Sequence, residues 1–129
     1  MKPLDFDAVA SEVQAAMQSA MNNSGELEVQ VSDSGASIEI VRIIVDEDGA
    51  GFGTKAMLAA CQIADSRGAS LELSPDGSYY EDEEVAYARL VGFYSRFGFT
   101  KTDHGTMLRT AVKGNARRQI VKSRNRSRV

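Results

Sequence analysis

Ser37-Ile38-Glu39-Ile40-Val41-Arg42-Ile43-Ile44-Val45-Asp46-Glu47-Asp48-Gly49-Ala50-Gly51-Phe52-Gly53-Thr54 carries the pattern that decides the fold. Its first half, Ser37 to Val45, is rich in β-branched residues and predicts a strand. Strict alternation puts Ile38, Ile40, Arg42 and Ile44 on one face and Glu39, Val41, Ile43 and Val45 on the other. Apolar residues on both faces mean either a strand buried at the sheet centre or a bulge near Ile40 that changes the phase. Residues 46–53 form a glycine-rich turn, and Thr54 to Arg67 predicts a helix with Met57, Leu58, Cys61, Ile63 and Ala64 facing the core and Gly68 as its C-cap. Strand, glycine turn and helix N-terminus together make an anion site, because main-chain N–H groups converge where the helix dipole is positive. A Walker loop needs Gly-Lys-Ser/Thr, but Thr54 separates Gly53 from Lys55; a dinucleotide fingerprint needs glycine where Thr54 stands. The spacing that remains, G-x-G-x-G after a strand, suits a pyrophosphate held by successive amides.

Working outward, apolar steps of three and four from Leu4 to Met21 predict an amphipathic helix, with Asp5 as N-cap and Asn22, Asn23 and Gly25 as its stop. Leu27, Val29 and Val31 alternate with acidic and amide residues as in a half-buried strand, and Ser32-Asp33-Ser34-Gly35 turns it into a hairpin with Ser37–Val45. Beyond Gly68, Ser70–Ser74 predicts a strand, Ser78–Glu84 an acidic loop with Tyr79 and Tyr80, and Val85–Phe97 a helix. Strands near Phe99–Thr102 and Thr106–Ala111, joined by Asp103-His104-Gly105, close the pattern. His104 is expected in a turn and outside the chemistry, and Cys61 buried rather than reactive.

The 129 residues suit one domain, and 43% hydrophobic content is enough for a core. The apolar runs are far short of a membrane span, and Met1–Ala10, with Asp5 and Asp7, lacks the apolar core of a signal peptide. One cysteine and one histidine exclude a disulfide framework and a multi-Cys or His/Cys metal centre, so no metal is expected. The expected compartment is the cytoplasm, of a bacterium or a phage-infected cell. The net charge of −3 hides a split, since residues 113–129 hold seven basic side chains and no acid. Up to Val112 eight basic residues face 18 acidic ones, a body of net −10. The expected division is therefore a domain over residues 1–112 and a basic tail over 113–129. The tail fits nucleic acid through phosphate neutralisation, or an acidic partner, which includes the acidic body of its own chain or of a dimer mate, or it forms an inert solubilising end.

Two segments carry a family resemblance. Asp48-Gly49-Ala50-Gly51-Phe52-Gly53, followed by Thr54, Ala56, Met57 and Leu58, is similar to (Arg/Gln)-x-x-Gly-x-(Gly/Ala) running from a central strand into a helix. Phe93-Tyr94-Ser95-Arg96-Phe97-Gly98-Phe99 is similar to (Leu/Phe)-Tyr-x-(Lys/Arg)-x-Gly-Phe. Both patterns belong to the GNAT family of N-acetyltransferases, and in this order they cover roughly Ile38 to Leu108. Asp48 stands where the family carries Arg or Gln, and its carboxylate would repel a pyrophosphate. Tyr87 stands about where the family often has Asn, and only two strands precede the motif, as in a minimal member.

The resemblance implies an α/β fold, a mixed central sheet of about five or six strands flanked by about three helices. It implies acetyl-CoA as acetyl donor and direct attack by a primary amine in a ternary complex, since no cysteine lies near either motif to carry the acyl group. The main chain of Ile43, Ile44 and Val45 would hold the pantetheine arm, and Gly49, Ala50, Gly51, Phe52, Gly53 and Thr54 the pyrophosphate, with Arg96 on a CoA phosphate. Tyr94 would protonate the departing thiolate, because a phenol of pKa near 10 can donate to a thiolate whose own value is near 8.5. Glu39, in Ser37-Ile38-Glu39-Ile40-Val41, would be the base that frees the amine. Glu81–Glu84 either attract a cationic acceptor, a peptide or protein amine by preference, or form a solvated loop. The rival expectation is a GNAT-shaped binding protein without catalysis, attached through its tail.

Overall fold

A computed structural model describes residues 4–45, 51–78 and 81–112, so Asp46–Ala50, Tyr79, Tyr80 and the basic tail lie outside the described residues. Helix α1 (Phe6–Ala20) starts where Asp5 accepts a hydrogen bond from the Ala8 N–H at 3.2 Å, satisfying one of the donors a helix start leaves open. Strand β1 (Glu26–Val31) returns antiparallel along β2 (Ile38–Ile44). Helix α2 (Phe52–Arg67) then crosses to β3 (Leu71–Leu73), which pairs parallel to β2. Helix α3 (Glu83–Ser95) leads to β4 (Thr100–Lys101) and β5 (Met107–Arg109). The sheet order is β1-β2-β3-β5-β4, and the described residues form a mixed five-stranded sheet with three helices, so the α/β class is the one expected.

The hydrophobic pattern explains how these elements stack. Val29, Ile38, Ile40, Leu71, Leu73 and Met107 point to one side of the sheet, where they meet Val13 and Met17 of α1 and Ala56, Met57, Ala60 and Ala64 of α2. The alanines let the two helices approach closely. Phe99, fully buried beyond α3, contributes about 1.5–3 kcal/mol on its own. Leu58, expected inward, is instead 44% exposed, because the alanine stripe at 56, 60 and 64 occupies the contact face.

A β-bulge settles the two-faced pattern of β2. Val29 pairs with Ile40 and Glu28 with Arg42, so Val41 has no counterpart on β1. Before the bulge Ile38 and Ile40 face the core; after it Ile43, opposite Leu27, takes that side. On the other face, register sets Gln30 beside Glu39, Glu39 beside Glu72, and Glu72 beside Leu108.

Two features stand outside the predicted pattern. Glu83 and Glu84, assigned to a loop, form the first turn of α3, and Asp82 caps it by accepting from the Val85 N–H at 3.1 Å. Carboxylates here oppose the positive helix end. Arg109 is buried: its guanidinium makes a two-pronged pair with Asp65 of α2 at 2.8 and 3.0 Å, and its Nε donates to the Phe97 carbonyl at 2.7 Å. Burial alone would lower the Arg109 pKa, but the hydrogen bonds to Asp65 and the charge of its carboxylate more than offset it, so the net shift is upward.

Candidate functional site

The site begins where two strands part. β2 pairs with β3 only from Ile38 to Ile40, against Leu71 to Leu73. β2 runs on to Ile44, whereas β3 ends before Pro75, which has no N–H to extend a ladder. The bulge at Val41 bends β2 at this same point. Beyond Ile40, the side of the β2 main chain that would face β3 therefore has no ladder partner among the described residues. A cleft of about 630 Å³ opens there.

Each wall comes from a different element. Val41, Ile43, Ile44 and Val45 form the β2 side, Leu73 to Asp76 the β3 side, and Leu90, Phe93 and Tyr94 of α3 close it. Val41 and Ile44 are 41% and 37% exposed, large apolar groups left open at a cleft wall. Gly53 contributes from the first turn of α2, where an added Cβ would lie 3.7 Å from the Phe93 ring. Glycine thus keeps side-chain volume out of the cleft.

The N-terminus of α2 points the same chemistry at this opening. Gly51 occupies its cap position at φ 77°, a conformation that costs other residues about 1–2 kcal/mol. Among the described residues no side chain caps this helix start, and its first turn holds no acid. The Gly51 carbonyl accepts from the Lys55 N–H at 3.0 Å, which closes the first turn of the helix. Phe52 is partly buried and packs on the core, anchoring that turn.

Tyr94 is 8% exposed, with its ring edge-on to Phe93 at 5.3 Å and to Phe99 at 6.1 Å. That packing restricts its ring at the cleft wall. Arg96, just past α3, lays its guanidinium over Phe93 at 5.3 Å. The structure thus brings Ile43, Ile44, Val45, Gly53 and Tyr94 to one cleft, with Gly51, Phe52 and Thr54 in the helix turn leading to it. Gly49, Ala50 and Asp48 lie outside the described residues. Glu39 is not on the cleft wall: it stands on the opposite sheet face, one rung before the β2–β3 ladder ends, and accepts from Gln30 Nε2 at 3.3 Å.

Sequence reasoning missed Asp76. Its carboxylate borders the cleft and a shallower groove of about 370 Å³ that it shares with Glu83, Glu84 and Tyr87. Hydrogen bonds from the Ser78 side chain and from the Ser78 N–H, the latter at 2.9 Å, hold its pKa below the ordinary carboxylate value. The Asp76-Gly77-Ser78 string is a turn signal that could have marked it. Among the cleft's lining residues the charged ones are Arg42, paired with Glu26 at 3.3 Å, and Asp76. The remaining wall is mostly apolar, as in small-molecule sites. Among the described residues no group of three His, Cys, Asp or Glu side chains could hold a metal ion, and no helix is long and apolar enough to cross a membrane. No protein-family model, curated protein or solved structure matches the chain.

Proposed function

We propose that the cleft binds acetyl-CoA and that the protein transfers its acetyl group to a primary amine, the activity that the GNAT resemblance implies. The observation that carries this reading is the parting of β2 from β3 beside the start of α2, with Tyr94 on the wall. An unpaired strand edge offers alternating N–H and C=O groups to an extended amide-bearing arm, as a missing strand would. The helix start offers N–H donors to a phosphate. The apolar walls exclude water from the reacting centre.

In this reading the amine nitrogen attacks the thioester carbonyl carbon and the C–S bond breaks with its electron pair moving to sulfur. Tyr94 gives its hydroxyl proton to that sulfur. Glu39, on the far face one rung before the strands part, receives the proton lost by the nitrogen of an acceptor entering from that side. Asp76 keeps a negative charge at the cleft mouth at neutral pH, which draws a cationic amine toward it.

Titration calorimetry with acetyl-CoA, followed by turnover measurements on Tyr94→Phe, tests the reading. The expected result is measurable donor binding and a fall in kcat of about 10²–10⁴-fold in the variant, with donor affinity little changed. Absence of binding at millimolar acetyl-CoA would overturn the transferase reading and leave the non-catalytic binding protein in its place.

A further inference from the structure

We propose that residues 113–129 dock on the open outer face of the sheet, setting their cations against Glu26, Glu28, Glu39 and Glu72. The inference is argued without the transferase reading but bears on it, because a tail seated against Glu39 covers the face from which that reading brings the acceptor. It starts from a sheet covered on one side. α1 and α2 pack on the face of Ile38, Leu71 and Met107. α3 lies on that side too: Tyr87 meets the Lys101 ammonium at 5.4 Å, and Lys101 pairs with inward-facing Met107. Among the described residues nothing covers the opposite face.

That face is acidic. Outward positions on β1, β2 and β3 hold the four glutamates against one cation, Arg42, already paired with Glu26. A second copy of so negative a face would be repelled, so the charge selects a basic occupant. The chain supplies one: residues 113–129 carry seven basic side chains and no acid. Lys122, Arg124, Arg126 and Arg128 fall at every second position, so an extended chain presents all four on one side. Their spacing, about 6.6 Å for two residues of strand, equals that of Glu26 and Glu28 along β1.

Reach and position agree with charge. Leu108 of β5 is the register neighbour of Glu72, and Val112, four residues on, is held by Asp65 at 2.9 Å. The segment therefore leaves from the α2 side, at the sheet end where β3 begins and one rung from Glu39 and Glu72, and passes round that end to the open face; Glu26 and Glu28, opposite Ile44 and Arg42, stand further along, toward the cleft. Seventeen residues span up to roughly 56 Å, and three strand spacings from β5 to β1 need about 14 Å. Tethering at Val112 raises the local concentration of these cations to about the millimolar range.

Carbodiimide cross-linking of the full chain, read by mass spectrometry, tests the proposal. At low salt, Lys122 should become joined to Glu28, Glu39 or Glu72 within one chain. At 1 M salt, where charges are screened beyond about 3 Å, that link should be lost. The double variant Glu28→Gln, Glu72→Gln should reduce it at least about fivefold. Links from Lys122 only to Asp76 or Glu81–Glu84, or only between two chains, would overturn the proposal. No link within the chain, with Lys122 instead shielded from modification by an added 20-base-pair duplex, would assign the segment to nucleic acid and overturn it as well.

Discussion

Replacing Arg109 by Met tests how strongly the buried ion pair holds the fold together. The Arg109 and Asp65 side chains are only 8% and 4% exposed, so neither partner can turn to solvent when the other is lost. Arg109→Met removes both prongs on Asp65 and the donor to the Phe97 carbonyl. Asp65 keeps the Val112 N–H but loses both guanidinium donors. Breaking a buried pair from one side costs about 3–5 kcal/mol, and the stranded Phe97 carbonyl adds to it. Against a total stability of about 5–15 kcal/mol this is a large fraction. With a urea slope of about 2 kcal/mol per molar, a loss of 4 kcal/mol moves the unfolding midpoint down by about 2 M. The double variant Arg109→Met, Asp65→Leu should lose much less, because no charge is left buried. Urea unfolding followed by circular dichroism gives both numbers. A cost below about 1 kcal/mol for the single variant, or a double variant as unstable as the two singles summed, would refute the reasoning.

Further outcomes follow from local geometry. Gly25→Ala should cost more than about 2 kcal/mol in the same urea assay, because Gly25 sits at φ 75° and an added Cβ would overlap the Ile44 carbonyl oxygen. Asp82→Ala should cost about 1 kcal/mol by removing the α3 cap, and Asp82→Ser should restore most of it. The Asp76 carboxyl should titrate below the ordinary aspartate range in a side-chain NMR titration, and Ser78→Ala should move it up. Because the folded value is depressed, the stability it contributes is present above the unfolded pKa and is lost as pH falls through the folded one. An unchanged Asp76 midpoint in Ser78→Ala would remove the Ser78 hydroxyl as a cause.

Local rules made most of the fold legible. Period-3.6 spacing located α1, Asp5 identified its start, and glycines at 51 and 68 bracket α2 because side-chain sterics reserve left-handed conformations for them. The sequence also marked a bulge in β2 without choosing it over burial on both faces. That choice lies in pairing: only the register with β1, where Val41 is passed over, shows which side each later residue takes. Tyr94 and the residues at 43–45 and 51–54 were visible because their motif is contiguous in the chain. Asp76 was not, since its place at the cleft follows from where β3 stops relative to β2.

The same distinction separates Glu39 and Arg109 from their sequence neighbours. Alternation alone could set Glu39 on a face, but not say that this face lies away from the helices. Arg109 looks like any exposed cation near a strand end, until folding sets Asp65 of α2 and the Phe97 carbonyl against it. The sequence by itself determined element type, caps, turns and the separation of an acidic body from a basic tail, because these depend on dihedral preference, periodicity and charge within a few residues. Which strands part, which carboxylate borders the cleft and which ion pair is buried was decided only by the tertiary structure. Those depend on contacts between residues far apart in the chain, such as Asp65 with Val112 across 47 positions, which no local spacing encodes.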